Sequence, residues 1–357
     1  MLALASAALL VCVAAAAPAQ EAPGEPRPAP DEEPLFSIGS PIGPLEYRAA
    51  RGFRFGDTGL NLGGFTTFEF DRNEGEKANF EIDAVSLLAL FQPVDWLRAF
   101  SEIEIGDLMA YEWEGGPPES DVNVEAKRLY GDLLFRESLN LRYGKFQTPV
   151  GRWNLVPAEP FVWTAIEPAF TELAFEEHVT GPSLFGSFHP AAGSLDYWVY
   201  GQVHDGLDTE SSPDPADYTV GGRVEFGSAV RDWSLGASLL SVKVDGDWSH
   251  LGGLDGEWQI DRLRLTGELT VGLGDVGERQ LVDVYLQGVY RLAGGFHLVG
   301  RYERFDPGGS RDDAHIFDVG AAWIPFPFLH LKATYRLTDE QSEEVRRGIN
   351  ASISVVF

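Results

Sequence analysis

The chain ends in Arg347-Gly-Ile-Asn-Ala-Ser-Ile-Ser-Val-Val-Phe357. Ile349, Ala351, Ile353, Val355 and Phe357 share one parity, and Asn350, Ser352 and Ser354 the other, which is the two-residue period of a strand with one apolar face. A soluble protein seldom ends inside a strand on an exposed phenylalanine. The pattern raises the question of whether the preceding three hundred residues close into a barrel.

At the other end, residues 2–17 form an apolar run of leucines and small residues, followed by the small-x-small site Ala17-Pro18-Ala19. This predicts a signal peptide over residues 1–19, cleavage before Gln20, and export. No Lys or Arg precedes the run, and the bulky Val11 before Cys12 argues against lipidation. Cys12 is the single cysteine, so the mature chain has no disulfide, no thiolate metal site and no cysteine nucleophile. The longest later apolar stretch, residues 85–91, is far short of the roughly 20 residues of a transmembrane helix. Twelve per cent aromatics and 40 glycines amid steady alternation leave two classes, a large secreted β protein or a transmembrane barrel. The net charge of -28 argues against nucleic acid as a partner.

Residues 20–34 are Pro- and acid-rich and read as a disordered leader. Residues 35–59, with Arg48, Arg51 and Arg54 near Phe53 and Phe55, are compatible with a strand, a plug or a periplasmic segment. From residue 60 onward sixteen strands are predicted: 60–70, 80–91, 96–107, 121–134, 139–147, 178–188, 194–204, 217–227, 232–244, 248–259, 262–272, 280–291, 296–305, 314–324, 329–338 and 347–357. Their connections alternate between tight turns and longer acidic loops, the layout of a bacterial barrel. Phe91, Trp96, Phe226, Trp233, Trp258, Tyr290, Phe296, Trp323 and Phe328 flank the tight turns, as an interfacial girdle requires.

Motifs for other chemistry are weak. Gly272-Leu-Gly-Asp-Val-Gly277 matches a dinucleotide-binding string, but the next segment alternates as a strand and offers no helix N-terminus to a pyrophosphate. Gly181-Pro-Ser-Leu-Phe-Gly186 misses the nucleophile-elbow spacing around Ser183, and no Ser-His group with His178 is evident. Asp205, Asp208, Glu210, Asp214 and Asp217 do not fit a calcium loop and read as solvated. No cofactor, metal site or catalytic residue is expected, so the chain is not read as an enzyme.

Charges of the polar parity carry more information. They predict an acidic wall of Glu69, Glu81, Asp83, Glu102 and Glu104, with Arg98 among them, and a basic wall of Arg142, Arg264, Arg301, Lys332 and Arg336, mixed with Glu268 and Glu303. Residues 148–177 form the longest connection, with Trp153, Phe161, Trp163, Phe170 and Phe175 alongside Glu159, Glu167, Glu172, Glu176 and Glu177. A connection this long is usually functional. It could fold into the lumen, with Glu159 and Glu167 at a constriction, or form an extracellular cap or subunit contact.

Tyr143-Gly-Lys-Phe-Gln-Thr-Pro-Val-Gly151 resembles the Gly-Lys-Phe-x-x-Pro-x-Gly segment of the phosphate-selective porin O and P family, where it also ends a strand before a long third loop. The C-terminal strand and Phe357 likewise resemble the assembly signal of bacterial outer-membrane barrels. The resemblance implies a 16-stranded, usually trimeric channel of the outer membrane; with the reading of the third loop above, the expected fold is an all-β, 16-stranded antiparallel transmembrane β-barrel over residues 60–357 whose third loop folds toward the lumen. The resemblance also implies an outer-membrane location among lipid and lipopolysaccharide, and insertion by the barrel-assembly machinery. The chain lacks the dense Arg and Lys run of a phosphate ladder. The expected function is therefore a porin for small hydrophilic solutes and ions with weak cation preference; the alternative is an anion- or phosphate-selective channel.

Overall fold

The computed structural model describes residues 34–113, 120–156, 158–169, 171, 175–202, 216–244, 246–274, 279–306, 308, 313–339 and 345–357. Residues 1–33, which include the expected signal peptide and nearly all of the leader, lie outside this set, as do Asp205, Asp208, Glu210, Asp214 and Glu172. Three short strands come first: β1 (Phe36–Ile38), β2 (Leu45–Arg48) and β3 (Gly52–Phe55). The sixteen long strands are β4 (Leu60–Asn73), β5 (Asn79–Val94), β6 (Leu97–Glu112), β7 (Asn123–Arg136), β8 (Leu139–Gln147), β9 (His178–Phe188), β10 (Gly193–Gln202) and β11 (Tyr218–Ser228), followed by β12 (Trp233–Val244), β13 (Asp247–Ile260), β14 (Leu263–Leu273), β15 (Arg279–Arg291), β16 (Phe296–Asp306), β17 (Ala314–Phe326), β18 (Leu329–Thr338) and β19 (Gly348–Val356).

Each long strand pairs antiparallel with its sequence neighbour, and β19 pairs with β4 from Gly348↔Asn73 to Val356↔Phe65. The sheet is thereby closed into an all-β, sixteen-stranded barrel. The expected strands correspond to β4–β19 one for one. Residues 35–59 resolve as strands: β1, β2 and β3 form a meander whose last member meets β4 at Phe53↔Leu62 and Arg54↔Asn61. Two-residue turns such as Asp95-Trp96 and Asp261-Arg262 gather at one rim. Asp261 there has φ +50°, which the tight turn from β13 to β14 requires.

The barrel is inverted relative to a soluble protein. On β17, Phe317 and Val319 are 48% and 62% exposed while Asp318 between them is 1% exposed. Leu235, Leu239, Leu254 and Leu298 repeat the outward pattern, and Arg223, Asp283, Glu303 and Ser354 the inward one. An exposed apolar belt of this extent marks a surface made to meet another apolar phase. At the short-turn rim, outward rings pair across strands: Trp233 stands opposite Trp258, and Phe296 stacks on Trp323 at 5.0 Å. No helix among the described residues is long and apolar enough to cross a membrane, which leaves crossing by strands open.

The seam between first and last strands is built around Phe357. Its N–H donates to the Gly64 carbonyl at 2.8 Å, and Gly64 N–H returns a bond to the Phe357 carbonyl at 2.9 Å. A Cβ on Gly64 would lie 2.3 Å from the Ser86 carbonyl oxygen and 2.8 Å from the Phe357 ring. Only glycine fits there.

Candidate functional site

The third long connection, residues 148–177, begins and ends at a closed neck. Thr148 N–H donates to the Glu177 carbonyl at 2.8 Å, and Asn154 Nδ2 bridges the carbonyls of Thr148 and Glu177. Beyond the neck, its described polar groups bond to side chains of the inward parity. Arg152 Nη2 reaches Glu225 Oε1 at 2.9 Å and Ser234 Oγ at 2.6 Å. Trp153 N–H donates to Glu268 Oε1 at 2.6 Å, and Gly151 N–H to Ser238 Oγ at 3.3 Å. Gly151 has φ +63°, and a Cβ there would fall 2.1 Å from Glu268 Oε2. The glycine is what lets the backbone lie this close to the wall. Farther along, Pro160 accepts from His330 Nδ1 at 2.8 Å, and Ala165 N–H donates to Thr334 Oγ1 at 3.1 Å.

Apolar packing follows the same path. Phe161 packs with Ala158 against the buried Phe65 and Val356, and Val150 and Ala169 join Phe146, Tyr285 and Ile316 in a second buried cluster. These contacts set the segment against the inside of β11–β19 and the start of β4. The described aromatics Trp153, Phe161 and Phe175 thus belong to its packing surface.

The basic residues of the expected basic wall mostly serve this anchoring. Arg301, Asp318 and Arg336 are direct cross-strand partners on β16, β17 and β18. Arg336 donates to Asp318 at 2.9 and 3.0 Å, Arg301 Nε to Asp318 at 3.1 Å, and the three side chains are 4% exposed or less. The same guanidinium groups then cap loop carbonyls: Arg301 Nη2 those of Ile166 and Glu167 at 2.8 and 3.0 Å, and Arg336 Nη2 that of Glu167 at 2.8 Å. Lys332 Nζ donates to the Glu159 carbonyl at 2.5 Å. Burial on this scale closes Arg301, Lys332 and Arg336 off from open solution. Arg264 keeps more exposure, 3.4 Å from Gln259 Oε1 and beside the Trp163 ring.

Across the barrel, β6–β8 carry a second Arg-Asp-Arg row. Arg98, Asp132 and Arg142 are cross-strand partners, and Asp132 is fully buried between the two guanidinium groups at 2.6 to 3.1 Å. Arg142 also lies 3.7 Å above the Tyr130 ring. No loop carbonyl is bonded to these groups among the described residues, and Arg98 and Arg142 stay about a fifth exposed. Glu102 pairs with Arg128. Glu104 accepts from Ser86 Oγ at 3.1 Å and lies 3.6 Å from Lys127, and Glu125 receives Lys145 at 2.7 Å. This stretch of wall sets four carboxylates against five cations and so carries no acidic excess. Alternation alone misses Lys127 and Arg128, because adjacent residues of a regular strand face opposite ways. A bulge opposite Glu102/Ile103 removes Lys127 from the register and lets both reach the lumen.

The acidic charge is concentrated elsewhere. Glu69 on β4, Asp83 on β5 and Glu159 of the third connection bring carboxylate oxygens within 4.8 Å of one another. Glu81 stands directly across from Glu69 and accepts from Asn79 at 3.3 Å. Glu167 accepts at its side chain from Thr171 Oγ1 at 3.3 Å. The rejected motifs also find their places. Gly272 and Leu273 end β14 and lead toward strand β15, and His178 and Ser183 sit five residues apart on β9, about 16 Å along an extended chain.

No protein-family model matches the chain, and no curated protein does. Solved structures do. The anion-selective porin of Comamonas acidovorans superposes with a TM-score of 0.60 at 14% identity, over 84% of this chain and 99% of that one. OmpF of Salmonella typhi, solved with daunomycin, gives 0.59 at 13% identity over 85% and 99%. The outer-membrane channel DcaP of Acinetobacter baumannii gives 0.56 at 12% over 90% and 100%. At these identities the likeness is one of fold: the chain has the sixteen-stranded barrel of the outer-membrane porins.

Proposed function

We propose that the chain forms a water-filled channel in the bacterial outer membrane through which small hydrophilic solutes and ions diffuse. The observation that carries this reading is the inversion of the barrel combined with a third connection laid along its inner wall. An apolar belt facing out suits lipid, and an inner face of ion pairs suits water. A sixteen-stranded barrel is wide enough for an aqueous passage that such a segment narrows without filling. On this reading the channel lies off-axis, bounded by Glu69, Asp83 and Glu159 on one side and by Arg98, Lys127 and Arg142 on the other.

Export, lipopolysaccharide and lipid as surroundings, insertion by the barrel-assembly machinery and a homotrimeric state belong to the same proposal. A Vibrio cholerae OmpT structure similar in fold is described as a trimer form. Edman sequencing of protein taken from outer membranes should begin at Gln20; mature protein retaining Met1 would exclude the signal peptide.

We assign the channel a weak cation preference. The β6–β8 ion pairs offset one another, whereas among the described residues the carboxylates of Glu69, Asp83 and Glu159 face one neighbouring ammonium, that of Lys332, 4.0 Å from Glu159. Screening at roughly 8 Å in physiological salt confines their influence to a narrow passage. In planar bilayers under a KCl gradient with chelated divalent ions, the reversal potential should have the sign of potassium preference and decline as salt rises. A chloride preference under these conditions would transfer the chain to the anion-channel reading.

A further inference from the structure

We propose that Glu69, Asp83 and Glu159 form a divalent-cation site, of the calcium type, that staples the third connection to the wall at β4 and β5. The three residues come from three separate segments of chain, yet each offers a carboxylate oxygen within 4.8 Å of the others. Like charges this close destabilise one another unless a cation or a proton intervenes. Among the described residues the basic group in contact is Lys332, whose Nζ is bonded to the Glu159 carbonyl at 2.5 Å and stands 4.0 Å from the Glu159 carboxylate. When all three carboxylates are ionised, one ammonium leaves the charge that one divalent ion neutralises.

Two further features point at the same spot. Ser352 is 2% exposed and its Oγ has no hydrogen-bond partner. In the register it lies directly between Lys332 and Glu69 on the lumenal face, so its hydroxyl stands beside the Glu69 side chain with an unused lone pair. Two residues away on the same face, Ser354 does find a partner, accepting from Thr67 at 3.1 Å. Asp83, moreover, is an inserted residue relative to β4, whose consecutive Thr67 and Phe68 pair with Ala84 and Ile82 and pass over it; on the β6 side the register is irregular at the same place. A bulge of this kind re-aims a side chain, and here the re-aimed group is a carboxylate directed toward two others. Oxygen donors from carboxylates, a hydroxyl and water, without nitrogen or sulfur ligands, select a hard cation. The irregular spacing suits the flexible coordination of calcium better than the strict octahedron of magnesium.

The test is isothermal titration of the purified full-length protein in detergent with CaCl2. The expected result is saturable binding of one ion per chain with Kd on the order of 10⁻⁴–10⁻³ M, the range of extracellular calcium modules. Asp83→Asn and Glu159→Gln should abolish it, and Ser352→Ala should weaken it by about tenfold, as loss of a supporting ligand does. Asp313→Asn, in an exposed pair with Arg304 at the β16–β17 connection, should leave it unchanged. Heat-modifiable migration of each variant establishes that the barrel has formed. Absence of saturable binding to the wild type, or binding retained in both Asp83→Asn and Glu159→Gln, would overturn the proposal. The channel reading is tested separately: conductance without calcium binding sinks only the cation site, and calcium binding without conductance sinks only the channel.

Discussion

Asp318→Ala should produce a larger and noisier single-channel conductance than the wild type. Asp318 holds Arg301 and Arg336, and those two guanidinium groups hold the carbonyls of Ile166 and Glu167. Removing the shared carboxylate takes from two buried guanidinium groups the anion they hold in common, and breaking such a buried pair costs about 3–5 kcal/mol in comparable sites. The repulsion is relieved most easily if the arginines turn toward water and give up the loop. Recordings in planar bilayers should therefore show wider openings and flicker, and the barrel should unfold at a lower temperature. Asp313→Asn, which breaks only the exposed pair with Arg304, should change neither quantity appreciably. An unaltered conductance for Asp318→Ala in a normally assembled barrel would show that the third connection is held by its aromatic packing instead.

The second large effect belongs to the seam. Deleting Phe357 removes two backbone hydrogen bonds to Gly64, each worth about 1 kcal/mol, together with the ring that fills the space beside it. Gly64→Val attacks the same place from the other strand, because its side chain would collide with the Ser86 carbonyl and the Phe357 ring. Both variants should accumulate far below wild-type level in outer membranes and lose heat-modifiable migration. Gly300→Val, at a position where a Cβ meets nothing within 4 Å, is the control. Normal levels of the Phe357 deletion would remove the terminal residue from any part in closure.

The strands were legible in the sequence because alternation of parity is a local signal, carried by residues such as Phe317, Asp318 and Val319 in immediate succession. Inward charges were legible for the same reason, and Arg301, Lys332 and Arg336 do sit on the inner face. What they touch was not. Partner choice depends on register, and the two Arg-Asp-Arg rows arise only when three strands are aligned, so Asp132 and Asp318 give no sign of their importance in isolation. Bulges hide further information: Lys127 and Arg128 break the parity rule, and Asp83 owes its position to an inserted residue. Aromatic content marked residues 148–177 as unusual, yet the choice between lumen and rim needed the bonds to Glu225, Glu268 and Thr334. Strands β1–β3 are three or four residues each, too short to show a period.

The seam also orders events in time. Thr67 on β4 bonds to Ser354 on β19, 287 residues later. Every other pairing of the barrel joins strands that are neighbours in sequence, but β4 keeps one edge open until β19 reaches it. Contacts of such separation are slow to form, since the intervening chain must first be brought into place. An open edge invites wrong partners meanwhile. The β1–β3 meander covers the first residues of that edge through Phe53 and Arg54, leaving the stretch from Phe65 to Asn73 for β19. Closure is thus the barrel's most remote pairing: without β19 the wall retains a reactive edge, and docking of that strand, with the Gly64–Phe357 bonds, ends its exposure.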